Sequence, residues 1–117
     1  MTMSRYINTY ENHPSDDLKT HWFKTDYMGA RNAIIDIARD LGMNIVNIND
    51  EYKELFVVSP KYKLMIKVTE YTVGETSIDI YMEKLKFLDF YAWRKFFALW
   101  HSRLKKKLIF LGIALHP

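Results

Sequence analysis

At 117 residues the chain has room for one ordinary domain with a buried core, and not for two. Hydrophobic residues at 49%, charged residues at 26% and aromatics at 15% exclude a disordered tail, and four Gly with three Pro exclude a collagen-like or low-complexity chain. The absence of cysteine excludes disulfide scaffolds, thiolate metal sites and thiol catalysis, and the net charge of +3 is modest.

Residues 1–24 read as an irregular arm, polar but carrying Tyr6, Tyr10, Trp22 and Phe23. Four large rings left in water would be unfavourable, so the arm is expected to dock on the body. Nothing in MTMSRYINTYENHPSDD has the apolar run of a secretory signal. The densest ionisable group in the chain is here: His13, Asp16, Asp17 and His21. Imidazoles with carboxylates suit a metal or acid–base chemistry, and His13, Asp17 and His21 are the candidate ligands. Their spacing matches no metal-site pattern, and Ser15-Asp16-Asp17 equally suits a helical-turn cap, so no metal or other cofactor is expected.

The body, residues 25–107, opens with a helix from Tyr27 to Leu41. Thr25 or Asp26 suits its N-cap, and Gly42 suits its left-handed terminator. Tyr27, Ala30, Ala33, Ile34, Ile37, Ala38 and Leu41 share one face at 100° per residue. Four strands follow: Met43–Asn49, Tyr52–Val58, Tyr62–Glu70 and Thr76–Lys84. In the third, Leu64, Ile66 and Val68 alternate with Lys63, Met65 and Lys67; in the fourth, Ile78, Ile80 and Met82 alternate with Ser77, Asp79 and Tyr81. The second strand is apolar on both parities, through Leu55, Phe56, Val57 and Val58. Short connections make an antiparallel meander the simplest pairing.

A second helix is expected from Asp89 to Lys107. Phe90, Trp93, Phe96, Phe97, Trp100 and Leu104 form its inward stripe, and Arg94, Lys95, His101, Ser102, Arg103, Lys105 and Lys106 its outward one. From Lys84 to Lys107 eight basic side chains stand against Asp89 alone, a local +7 that leaves −4 elsewhere. Residues 108–117 form an apolar, extended tail. Its run Leu108–Leu115 is far short of the roughly 20 residues that cross a bilayer, so no membrane span and a cytoplasmic location are expected. The architecture expected is an α+β two-layer sandwich: a four-stranded antiparallel meander with two helices on one face, in the order α-β-β-β-β-α.

No P-loop, nucleophile elbow, H-E-x-x-H or G-x-G-x-x-G is present. The reading is therefore a non-enzymatic binding or scaffold domain that acts through protein–protein contact with a partner or a second copy. Leu55 or Phe56, Met65 and Tyr81 would line the sheet face away from the helices, with Lys53, Lys63 and Lys67 around them. Nucleic-acid or polyanion binding through Arg94, Lys95, Arg103, Lys105 and Lys106 is the first alternative. It is weakened because base stacking needs rings and cations on one surface, whereas the rings here point inward. An enzyme or ligand-binding domain with a cleft at the N-terminal arm is the second alternative.

Overall fold

Asp26 starts the first helix: its carboxylate accepts a 2.8 Å hydrogen bond from the backbone N–H of Gly29, and α1 then runs Tyr27–Asp40. Gly42, at φ +70°, takes the left-handed conformation that ends it. The structure, a computed structural model, describes residues 5–86 and 92–117. Around α1 the order is β1 (Tyr6–Asn8), a 3-10 turn (Asp16–Leu18), β2 (His21–Lys24), α1, β3 (Asn44–Asn49), β4 (Glu54–Val58), β5 (Tyr62–Thr72), β6 (Glu75–Lys84), α2 (Ala92–Lys107) and β7 (Ile109–Ile113).

The fold is α+β, with one antiparallel sheet and two helices, but the sheet has seven strands where four were expected. Its order is β3-β4-β5-β6-β2-β7, and β1 pairs with β6 beside β2. The order α-β-β-β-β-α is thus corrected to β-β-α-β-β-β-β-α-β. The irregular arm supplies β1 and β2, and the tail supplies β7, which pairs antiparallel with β2.

The reason lies in the second edge of β6. Its first edge is taken by β5 from Tyr62 to Thr72. Left bare, the other edge would expose a row of unpaired backbone donors and acceptors. Tyr6–Asn8 covers Tyr81–Glu83, and His21–Phe23 covers Thr76–Ile78. Between them the chain leaves the sheet as a closed excursion, fastened by Tyr10 N–H to the Leu18 carbonyl (3.1 Å) and Thr20 N–H to the Tyr10 carbonyl (3.2 Å).

The core gathers one parity of each central strand. Leu55 and Val57 from β4, Leu64, Ile66 and Val68 from β5, and Ile78, Ile80 and Met82 from β6 join the apolar faces of both helices. Phe97, Trp100 and Leu104 of α2 are buried, and the Phe96 ring lies 5.2 Å from that of Tyr62. Asp89 and Phe90 lie outside the described residues. Among the described residues no helix is long and apolar enough to cross a membrane.

Candidate binding surfaces

The sheet face opposite the helices is built from cross-strand rows. Phe56 pairs with Met65, Met65 with Tyr81, and Tyr81 with Asn8, so one row, apolar across β4, β5 and β6, ends on the Asn8 amide of β1. The next row runs Val58, Lys63, Glu83, Tyr6. Together with Val46 and Asn47 of β3 these side chains line an open groove of about 570 Å³. Tyr6, Val46 and Tyr81 stand exposed. Below the apolar row, Glu54, Lys67 and Asp79 form a charged one, with Lys67 4.0 Å from Glu54. Burial, reinforced by Asp79 and Glu54, pushes the Tyr81 phenol up, so it stays protonated and able to donate.

Leu55 is not on this surface. It is fully buried on the helix side, and Phe56 takes the outward position. A strand that is apolar on both parities does not declare its inward side; the register Leu55 to Ile66 and Phe56 to Met65 decides it. Met65 and Tyr81 do line the groove, as does Lys63. Lys53 pairs instead with Glu70 at 2.6 Å and stands over the Tyr27 ring.

Farther along the same face Trp22 is buried among Glu11, Tyr71 and His116. Its indole N–H donates to Glu11, its ring meets the edge of His116 at 4.7 Å, and His116 stacks on Tyr71 at 3.7 Å. The arm therefore extends the sheet, with Trp22 packed on this face and Phe23 buried on the other.

A second cavity, of about 450 Å³, lies on the helix side between the arm and α2. Its lining is Asp17, His21, Ala98, His101, Ser102, Lys105 and Lys106. Alternation on β2 sends His21 to the same side as Phe23, toward α2. On α2, positions 98, 101, 102 and 105 follow the i, i+3, i+4, i+7 stripe that faces the arm. His21 Nδ1 lies 2.8 Å from the Lys19 carbonyl, to which it donates. Its ring is stacked on His101. Burial, opposed by the Lys19 carbonyl and Asp17 and aided by Lys105, lowers the His21 pKa to about 4. His101 is lowered to about 3 by burial, by His21 and by Lys105. Both rings are neutral at pH 7.

Asp17 and His21 thus meet at this cleft, whereas His13 does not line it. His13 Nδ1 accepts from the Ser15 N–H at 3.0 Å, and its ring packs 4.7 Å from Tyr10. Burial first, then Lys19 and Arg94, lowers its pKa. Among the described residues no three His, Asp or Glu side chains are grouped to hold a metal ion.

Five of the six basic residues of α2 divide among three neighbourhoods. Arg103 pairs with Asp40 at 3.9 Å and Lys107 with Asp36 at 3.7 Å, both on α1. The Arg94 guanidinium sits 4.8 Å over the Trp93 ring. Lys105 and Lys106 line the cleft, with Lys105 4.4 Å over Phe110, and Lys95 is exposed. Sequence reasoning placed His101 and Ser102 on the solvated side of α2 and missed them as site residues. The His101-to-Lys105 spacing was the local signal, but the partner ring is on a different element. In comparisons with known proteins, no family model matches the chain, and no curated protein and no solved structure matches it either.

Proposed function

We propose that this chain is a small, non-enzymatic association domain that binds a second copy of itself through the helix-free face of its sheet. The observation that carries the reading is the in-register apolar row Phe56–Met65–Tyr81 flooring an open groove walled by exposed Tyr6 and Val46. Aromatic and Met side chains inside a polar margin are the composition of interface centres. The margin carries both signs side by side, Lys63 opposite Glu83 and Lys67 opposite Glu54 and Asp79. A two-fold contact sets a patch against itself, so a surface of mixed sign can meet its own copy without like-charge conflict.

Sedimentation equilibrium or light scattering tests this directly. The native chain is expected to approach twice 14.0 kDa as its concentration rises. Phe56→Glu and Met65→Glu are expected to give the mass of one chain with an unchanged far-ultraviolet circular dichroism spectrum. A native chain that stays single at millimolar concentration overturns the reading, as does a dimer indifferent to both substitutions.

A further inference from the structure

The cleft between the arm and α2 is on the other side of the sheet from the groove and has a different chemistry. Lys105 and Lys106 bring two ammonium groups to it, Ser102 a hydroxyl, and His21 and His101 two imidazoles, against the single carboxylate of Asp17. From this juxtaposition we infer that the cleft binds a phosphate monoester of a small polyhydroxy compound.

Charge decides the first half of that assignment. Arg103 and Lys107 are engaged by Asp40 and Asp36, but the lysines of the cleft outnumber its carboxylate two to one. The three terminal oxygens of a phosphate monoester suit two ammoniums and a hydroxyl, all of which donate. The division of the helix's cations also favours a compact anion over a polymer. A nucleic acid needs cations spaced along its backbone, whereas here two converge on one cleft while others are held by α1. Size and polarity decide the second half. At about 30 Å³ per water the 450 Å³ cleft has room for roughly fifteen, several times what phosphate alone fills. Asp17 would repel the phosphate itself but accepts from hydroxyl groups, so it suits the polyol portion at the arm side.

The imidazole pair supplies a reporter. His21 Nδ1–H is committed to the Lys19 carbonyl, so its Nε2 carries a lone pair that becomes a donor when it takes a proton. His101 Nε2 is buried and lacks a hydrogen-bond partner among the described residues. The groups facing the pair are Asp17 from the 3-10 turn, Lys105 and Phe97 from α2, and Phe110 from β7. A dianion added to this set draws a proton onto the rings.

Glycerol 3-phosphate is the probe, titrated at constant ionic strength into the full chain while the imidazole C2–H proton resonances are followed; His21→Gln and His101→Phe assign the signals. Saturable shifts at His21 and His101 are expected, absent with glycerol and with sodium chloride. Lys105→Gln and Lys106→Gln are each expected to weaken binding about tenfold, the loss of one charge-assisted hydrogen bond. Lys61→Gln, at an exposed lysine between β4 and β5 that lines neither cavity, is expected to leave it unchanged. Shifts that do not saturate, that chloride reproduces, or that survive both lysine substitutions overturn the site. Inorganic phosphate binding as tightly as the monoester overturns the polyol assignment, and a DNA duplex displacing the monoester at lower concentration overturns the choice of a compact ligand.

Discussion

The imidazoles of His21 and His101 lie face to face, ring planes 7° apart and centroids 3.6 Å apart, one carried by β2 and the other by α2. Burial disfavours the charged form of either ring, and a proton on each would set like charges together in a poorly solvated space.

Acid is therefore expected to loosen this junction first. Both folded-state pKa values, about 4 for His21 and about 3 for His101, lie below the 6.5 of an exposed histidine. Between pH 6.5 and about 4 the unfolded chain binds more protons, so stability is full above the window and is lost as pH falls through it. His101→Phe keeps a stacked ring and removes both a proton acceptor and a buried nitrogen that has no hydrogen-bond partner among the described residues. Thermal melts from pH 7.5 to 4.5 are expected to show a smaller fall for that variant than for the native chain. Parallel curves would show that the pair does not set the acid limit.

Asp79 is expected to respond in the opposite sense. Its carboxylate accepts from the hydroxyls of Thr9 (2.7 Å) and Thr20 (2.8 Å), which fasten both ends of the arm's excursion to β6. Burial outweighs those bonds and holds its pKa above the usual carboxylate value. The folded state therefore keeps this proton to higher pH than the unfolded chain, and the contribution declines as pH rises through the folded pKa. Asp79→Asn retains an acceptor without the charge and is expected to cost little at pH 7. Asp79→Leu removes the acceptor of two buried hydroxyl donors and is expected to cost about 1–3 kcal/mol in urea unfolding.

Adjacent residues on β4 are expected to separate stability from association. Leu55→Ala opens a cavity between sheet and helices and is expected to cost about 2–5 kcal/mol. Phe56→Ala removes a half-exposed ring from the other face, with a loss of about 1 kcal/mol and a larger effect on the mass in solution. Urea midpoints of the two variants, read beside their sedimentation, check this. Equal midpoints would contradict the parity observed in the structure.

That pair also shows where a sequence stops being legible. On β5 the alternation of Leu64, Ile66 and Val68 with lysines names the inward face outright, and on α2 the stripe of Phe97, Trp100 and Leu104 does the same. On β4 both parities are apolar, so the inward side depends on neighbouring register. The cleft was half legible: Asp17, His21, Lys105 and Lys106 stood out by charge and type, in two separate stretches of chain. What joins them is the docking of the arm on α2, which no local spacing encodes.

From residue order alone came the limits of α1, the β3–β6 meander, the inward rings of α2 and the polarised charge, because period and capping act within a few residues of each other. Tertiary structure alone decided that Tyr6–Asn8 and His21–Lys24 become strands, that Ile109–Ile113 pairs with β2, and that His21 meets His101. Strand pairing at a sheet edge is made by backbone groups that every residue but proline carries, so three- to five-residue partners leave little trace in side-chain pattern and are selected by the edge they complete.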